Sequence, residues 1–248
     1  MANQFRFRSS HLAILVIVVL IVLGGALLYF RSNRSSAPYS PSVIPTSALE
    51  SSPMPSNSQT TLPGTITSNQ IGYVGCSNTQ LSVEGYHAVS GNKDLFWPIY
   101  NSFSESIERW AQNNSDAWQR FGQAERTSGT PTVVWVQICE QADRHIATYE
   151  DVKNTLSNLK QLLPHAVVYL SPINSFSSLS LCPKIGTDGA DGREHEINFT
   201  DQAVREGLAL RGPDLGPLGP GDTKGGCHPN AQGMQKIGTQ LVNFFDHL

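Results

Sequence analysis

Two short stretches, far apart in the sequence, carry residues suited to nucleophilic catalysis. Residues 71–79 (IGYVGCSNT) form an apolar run that passes into a turn and presents Ser77. Residues 225–233 (GGCHPNAQG) offer His228. A serine hydroxyl is a weak nucleophile until a base takes its proton and hydrogen-bond donors stabilise the developing oxyanion. The two stretches therefore predict a hydrolase with Ser77 as nucleophile and His228 as base.

The residues around Ser77 fit a strand that ends in a sharp turn. Such a turn lifts the hydroxyl above the edge of a sheet and leaves backbone N–H groups pointing at the same place. Gly75 lets the chain turn without a Cβ in the way, whereas Asn78 and Thr79 favour a turn or a helix start. An ordinary loop would use the same residues, so it is the pairing with His228 that favours catalysis.

Residues 12–30 carry no charge and predict a transmembrane helix after a short basic tail, residues 1–11. At about 1.5 Å per residue, they can cross a hydrocarbon core of about 30 Å. The apolar core of a secretory signal is usually only about 7–15 residues long and ends in a small-residue cleavage site. This run is longer and ends in Tyr29-Phe30-Arg31, which favours an uncleaved anchor.

The charges around the predicted span bear on its orientation. Two arginines precede the span and two follow it, so the positive-inside rule is tied. No Lys or Arg then occurs between Arg34 and Lys93, which favours an N-terminus inside and a domain outside the cytoplasm. Residues 31–68 are rich in Ser, Pro and Thr, and are predicted to be a disordered linker.

The remaining residues, 69–248, are enough for one domain. The chain has a net charge of −3 and no basic run, so nucleic acid is not an expected partner. The four cysteines form no CxxC pair, which argues against a zinc cluster, whereas an even count in an exported domain permits disulfides. Cys182 and Cys227 lie in loop-like sequence and are predicted to pair. Cys76 and Cys139 each end an apolar run, and they are either buried thiols or a second bridge.

The other polar residues indicate no cofactor and no metal site. The histidines share no metal-ligand spacing. A small acidic run among glycines, at residues 188–196, does not have the spacing of an EF-hand. We interpret this run as a solvated loop.

Hydrophobic periodicity predicts alternating strands and helices. The predicted strands are 70–76, 131–139 and 165–171. The predicted helices are 101–111, 149–163, 200–210 and 229–245, with a further short helix near Trp118 and Phe121. A turn-rich region follows Ser77, around Gly85, Gly91 and Asn92, and residues 211–227 form a long loop. Such alternation indicates a parallel sheet covered on both faces, with the site beyond the carboxyl ends of its strands.

The chain resembles a divergent member of the SGNH (GDSL-type) serine hydrolases. Gly75-Cys-Ser77-Asn-Thr79 is similar to the family's nucleophile block after the first strand. His228-Pro-Asn230 is similar to the histidine block before the last helix. The resemblance covers residues 70–248 and implies a three-layer α/β/α, flavodoxin-like domain with a parallel sheet, here preceded by one N-terminal transmembrane helix.

The resemblance also implies site residues, and the chain departs from the family at some of them. Gly225 occupies the place of the usual aspartate, three residues before His228, and the nearest upstream acid is Asp222. Either Asp222 reaches the imidazole as the third member of a triad, or a backbone carbonyl orients it. The implied oxyanion donors are the Ser77 N–H, Gln141, and a backbone N–H at Gly91 or Ser102.

The implied function is hydrolysis of an ester, with removal of an acyl or acetyl group from a small molecule, lipid or glycan. The sequence is compatible with all of these substrates, because specificity in such folds lies in loops and not in the two motifs. A non-catalytic relative that binds a glycan or a partner protein at the envelope is the alternative, motivated by the missing aspartate. A membrane-tethered structural domain without pocket chemistry is the third interpretation.

Overall fold

This computed structural model describes residues 66–100, 104–140, 147–178, 181–182 and 190–248. All of them belong to one compact unit. The predicted membrane span, residues 12–30, and almost all of the predicted linker lie outside the described residues. Within the described ranges, no helix has the length and apolar character needed to cross a membrane.

A four-stranded parallel sheet forms the centre of a mixed α/β fold. Its strands are β1 (Ile71–Val74), β2 (Val133–Gln137), β3 (Val167–Ser171) and β4 (Leu210–Arg211), hydrogen-bonded in that order. Strands β1 and β2 are buried at every position, as expected for parallel strands covered on both faces. On the outer side of β1, Phe96 forms a parallel bridge with Ile71. The predicted strands 70–76, 131–139 and 165–171 are therefore confirmed.

Six helices accompany the sheet in the described part of the chain. They are α1 (Ser77–Val89), α2 (Ile107–Trp110), α3 (Asp116–Ser128), α4 (Tyr149–Leu162), α5 (Ala190–Arg205) and α6 (Ala231–Phe245). Helix α1 packs mainly on α6, while α4 contacts α2 and α5. These two groups of helices are consistent with a three-layer α/β domain.

The close packing of α1 on α6 brings the two predicted catalytic stretches together. Gly85 and Gly238 allow it, because a Cβ at Gly85 would collide with the Met234 carbonyl and a Cβ at Gly238 with the backbone of Gly85. Ser77 is the first residue of α1, and Asn230 caps α6 two residues after His228. The packing of the two helices therefore sets the distance between Ser77 and His228.

Three sequence predictions about the elements are wrong. The region after Ser77 is not turn-rich, because residues 77–89 form α1 and Gly85 serves as a helix–helix contact. Residues 104–106 precede the short α2 and do not form part of a helix over 101–111. The helix predicted over 200–210 is instead α5, which ends at Arg205, after which Leu210 enters β4.

The acidic run is also not a solvated loop throughout. Glu194 and Glu196 lie within α5, and the side chain of Glu196 is fully buried. Periodicity missed the start of this helix because its first two turns contain Gly192 and several charged residues, a composition typical of loops. The helices predicted over 149–163 and 229–245 are confirmed as α4 and α6, and the helix predicted near Trp118 and Phe121 is confirmed as α3.

Candidate active site

The structure brings the two predicted catalytic residues into direct contact. The Oγ of Ser77 lies 2.7 Å from Nε2 of His228, a hydrogen bond between residues 151 positions apart in the sequence. Both residues are half-buried. With Nε2 unprotonated, the imidazole accepts the hydroxyl proton, which is the geometry that general-base activation of a serine requires.

The same short pattern precedes each of these residues. Ser77 follows Gly75-Cys76, and His228 follows Gly226-Cys227. A Cβ at Gly75 would collide with Oγ1 of Thr79 and lie 3.0 Å from the Gln137 carbonyl. Gly226 has a φ of +91°, and a Cβ there would lie 2.9 Å from the Leu181 carbonyl. At both places the backbone approaches a neighbouring segment too closely for a side chain.

Each of the cysteines in this pattern is joined to a second cysteine. Cys76 pairs with Cys139, which follows β2 closely, and Cys182 pairs with Cys227. The predicted 182–227 disulfide is therefore confirmed, and the alternative of a second bridge is the correct one for Cys76 and Cys139. One disulfide thus lies next to Ser77 and the other next to His228.

The two disulfides pack in one apolar cluster, which we call the cystine cluster. Its buried members are Cys139, Ile173 and Cys182, with Cys76, Phe176 and Cys227 packed against them. Ile173 follows β3, and Cys139 follows β2. The cluster therefore joins the ends of two central strands to the backbone that carries Ser77 and His228.

A buried chain of hydrogen bonds supports the start of α1. The Cys76 N–H donates to Oγ1 of Thr79 at 3.0 Å, and that hydroxyl donates to Oε1 of Gln137 at 2.8 Å. Gln137 in turn donates from Nε2 to Oδ1 of Asn174 at 2.9 Å. Because buried polar groups need partners, this chain fixes the helix end that bears Ser77 to the ends of β2 and β3.

Sequence reasoning missed the role of Gln137, although one signal was present. A glutamine within the apolar run VVWVQI is unusual for a central strand, and its side chain is fully buried. A buried amide at such a position requires polar partners, which here are supplied by Thr79 and Asn174. The Cys-Ser and Cys-His dipeptides were a signal for the second disulfide, because Cys76 stands beside Ser77 as the predicted disulfide partner Cys227 stands beside His228.

His228 lies in a small hairpin. Strands β5 (Thr223–Lys224) and β6 (His228–Pro229) are antiparallel, with Lys224 opposite His228. Asn230 closes this segment: its N–H donates to the Asp222 carbonyl at 2.8 Å, and its Oδ1 accepts from the N–H groups of Gln232 and Gly233. The N-cap of α6 thus fixes the backbone on the C-terminal side of His228.

The predicted third member of the triad, Asp222, is directed elsewhere. Its carboxylate accepts from the Gly219 N–H at 2.8 Å and from Nζ of Lys236 at 3.1 Å. The hydrogen bond from the Gly219 N–H, and to a lesser extent the one from Lys236, holds the pKa of Asp222 below its usual value. In the described part of the chain, no carboxylate hydrogen-bonds to the His228 imidazole. The prediction that Asp222 orients His228 therefore does not agree with this geometry.

The predicted oxyanion donors fall into three groups. Ser77 begins α1, and the first N–H groups of a helix lack partners within it, so its N–H is available beside its own hydroxyl. Gly91 lies beyond the opposite end of the 13-residue helix, about 20 Å from Ser77 at 1.5 Å per residue. Gly91 therefore cannot contribute an oxyanion donor. Gln141 and Ser102 lie outside the described residues.

Two acidic side chains, the buried Glu196 and the half-buried Glu140, lie behind the ends of β2 and β3. Glu196 accepts from the Ile173 N–H at 2.7 Å and from the Glu140 N–H at 3.3 Å. Burial raises its pKa well above the usual value. Burial, with a contribution from nearby Glu108, raises the pKa of Glu140 to about 7. Glu196 therefore links the strand ends through the hydrogen bonds that it accepts.

The arrangement offers groups suited to acid–base and nucleophilic chemistry. Within the described ranges, no cluster of three or more His, Cys, Asp or Glu could hold a metal ion. The groups that meet at the site are a hydroxyl, an imidazole and the N-terminal end of a helix. This set can form a covalent intermediate on serine and stabilise negative charge beside it.

Comparisons with known proteins give little further information. No protein-family model matches the sequence, and no curated protein matches it. Among solved structures, the chain is similar to the crystal structure of a Lactobacillus plantarum protein, a target of the Northeast Structural Genomics consortium. The two share 13% sequence identity with a TM-score of 0.43, over 74% of this chain and 99% of the other.

Proposed function

We propose that the protein is a serine hydrolase of the SGNH type that cleaves an ester, with Ser77 as nucleophile and His228 as base and then acid. The observation that carries the proposal is the 2.7 Å contact between Ser77 Oγ and His228 Nε2. Two residues so distant in sequence meet at a helix N-terminus, where backbone N–H groups favour negative charge. The Ser77 N–H serves as one oxyanion donor, with Gln141 and Ser102 as further candidates.

The order of the strands supports this proposal. With the bridging segment at Phe96 counted beside β1, the spatial order is the 2-1-3-4-5 order of flavodoxin-like sheets. In such sheets, ligands bind where the strand order reverses, between β1 and β2 in the present numbering. Ser77 follows β1 and Cys139 follows β2, so the contact between Ser77 and His228 lies where this topology favours a site.

In the proposed reaction, His228 takes the proton of Ser77 as Oγ attacks the ester carbonyl carbon. The tetrahedral intermediate collapses as the imidazolium returns the proton to the leaving alcohol oxygen. In the second half of the reaction, His228 takes a proton from water as the water attacks the acyl-enzyme. The intermediate then collapses, the acid is released and the imidazolium returns the proton to Ser77 Oγ. No carboxylate is needed for either proton transfer, although one normally strengthens the base.

The two disulfides support a location outside the cytoplasm, since such bonds persist in oxidising compartments. Combined with the predicted span at residues 12–30, they support a single-pass membrane anchor with the catalytic domain outside. The substrate would then be an acylated small molecule, lipid or glycan of the envelope.

Turnover of p-nitrophenyl acetate by the full-length protein tests the proposal. Ser77→Ala and His228→Ala should each lower kcat by about 10³-fold or more, with unchanged thermal unfolding. Equal turnover by all three proteins would contradict the proposal.

A non-catalytic module that binds a glycan or a partner protein is the second candidate. One observation favours it: the nearest upstream carboxylate, Asp222, is engaged by Lys236 and not by His228. In that case well-folded wild type would show no turnover of any short-chain ester, and Ser77→Ala would leave glycan or partner binding intact.

A further inference from the structure

The two dyad residues differ in how firmly their surroundings hold them. Ser77 belongs to α1, whose first turn is tied through Thr79 and Gln137 to Asn174. His228 precedes α6 in a two-residue strand, and the residues before it include two glycines with positive φ, Gly225 at +62° and Gly226 at +91°. Ser77 is the one side-chain hydrogen-bond partner of His228 among the described residues. An imidazole held in this way needs another restraint.

The Cys182–Cys227 disulfide supplies a restraint at the adjacent residue. Cys227 precedes His228 directly, and its partner Cys182 is 1% exposed in the cystine cluster. The Leu181 carbonyl lies against Gly226, where a Cβ would come within 2.9 Å. The chain from Gly226 to His228 is therefore fixed by a covalent bond and a close backbone contact with the same short segment.

That segment is itself fixed to the sheet. It follows β3 through Ser175 and Ser177, whose N–H groups donate to the carbonyls of Leu215 and Leu218 at 2.8 Å. Ile173, at the start of the same stretch, is buried in the cystine cluster beside Cys182. Because Ile173 and Cys182 belong to the same buried cluster, the restraint on Cys227 reaches the end of a central strand.

We propose that the Cys182–Cys227 disulfide is the positioning device of His228 and takes over the orienting role that a carboxylate has in a triad. It acts through the backbone: Cys182 and Cys227 are positioning residues, and neither touches the reacting atoms. A carboxylate fixes an imidazole through Nδ1, whereas this disulfide fixes the Cα that carries the ring. The inference rests on the proposed function, because it concerns the same dyad.

The other disulfide provides a matched control. Cys76–Cys139 lies beside Ser77 as Cys182–Cys227 lies beside His228, and the sequence separations, 63 and 45 residues, are similar. Since the stabilisation from a disulfide grows only slowly with loop length, removing either bond should cost a similar amount of stability. Without its disulfide, Ser77 retains its helix and the bonds of Thr79, whereas His228 retains only its two-residue strand and the cap of α6.

The test measures phosphonylation of the full-length protein by a fluorophosphonate probe. Cys182→Ala/Cys227→Ala is compared with Cys76→Ala/Cys139→Ala and with wild type. The labelled fraction at completion reports how much protein is folded, while the limiting rate constant reports the alignment of the dyad. A role in folding alone would lower the first quantity and leave the second unchanged.

Loss of the 182–227 bond should lower the limiting rate constant by about 100-fold, as expected for misplacement by about 1 Å. Loss of the 76–139 bond should lower it by less than about threefold, because alignment is retained. A second pair, Cys182→Val/Cys227→Ala, keeps an apolar side chain in the cluster without the bond, and should be as slow as the alanine pair.

Equal rate constants for wild type and both 182–227 variants would overturn the inference while leaving the proposed function intact. An equal loss for the two disulfides would also overturn it, since neither would then be specific to His228. Failure of folded wild type to react at all would overturn the proposed function, and the inference with it.

Discussion

Gly75-Cys76-Ser77 and Gly226-Cys227-His228 share a pattern but differ in what holds them. The first begins a 13-residue helix, and its backbone is linked to two strand ends by buried hydrogen bonds. The second lies in a two-residue strand, held by one disulfide and by the cap of α6. The comparison indicates that secondary structure holds Ser77, whereas a cross-link supplies more of the support of His228.

Among changes near Ser77, Gly75→Ala is expected to cause the largest loss of stability. The added Cβ would collide with Oγ1 of Thr79 and lie 3.0 Å from the Gln137 carbonyl, so the start of α1 must shift. We expect a loss of about 3 kcal/mol or more in the free energy of unfolding, because a backbone shift in packed surroundings is costly. Urea denaturation measures this loss.

Gly91→Ala is the matched control for that variant. Gly91 also has a positive φ, +65°, but a Cβ there would meet nothing within 4 Å. Only the left-handed conformation is then penalised, at about 1 kcal/mol. If Gly75→Ala were no more harmful than Gly91→Ala, the close contact behind Ser77 would have no energetic importance.

The next variant, Gln137→Leu, removes the centre of the hydrogen-bonded chain. Thr79 and Asn174 would be left buried without the partner that they share, which should cost about 2–3 kcal/mol. Gln112→Leu, at an exposed position, should change stability by less than about 0.5 kcal/mol. Chemical denaturation of both variants gives the difference, and similar values for the two would show that the buried chain does not stabilise α1.

Part of the fold and of the candidate site could be predicted from the sequence. The dyad, the strands β1 to β3 and the helices α4 and α6 follow from periodicity and motif. Helix α1 did not, because Gly85 reads as a turn signal unless its contact with Met234 in α6 is known. The direction of Asp222 could not be predicted either, because it depends on Lys236, one helical turn into α6, competing for the same carboxylate.

Glu140→Gln tests the carboxyl that follows Cys139. Its pKa of about 7 in the folded protein lies above the usual 4.5, so the folded state holds the proton more tightly than the unfolded state. Wild-type stability should therefore fall as pH rises from about 4.5 to 7. The variant avoids that loss, and should be more stable than wild type by about 1–2 kcal/mol at pH 8 but not at pH 4.

Thermal unfolding across this pH range measures the effect. Glu194→Gln is the control, because Glu194 lies exposed in α5, and its stability profile should follow that of wild type. A variant that is less stable than wild type at pH 8 would contradict the assignment of a desolvated carboxyl at Glu140.

The smallest expected effect is that of Asp222→Asn. Because an asparagine amide oxygen can still accept from the Gly219 N–H, and Lys236 is 43% exposed, the variant should lose only about 1 kcal/mol of stability. Its kcat/KM for p-nitrophenyl acetate should stay within about tenfold of wild type, whereas removing a true triad carboxylate costs about 10⁴-fold. A loss of that larger size in folded protein would show that Asp222 turns to His228 during the reaction.

The central claim, an activated Ser77, is tested most directly by locating the phosphonyl group after the full-length protein reacts with a fluorophosphonate. Peptide mapping by mass spectrometry should find the adduct on Ser77 in wild type. His228→Ala should give no adduct in the same time, because the hydroxyl then lacks its base. An adduct on another residue, or equal labelling of Ser77 without His228, would contradict the account.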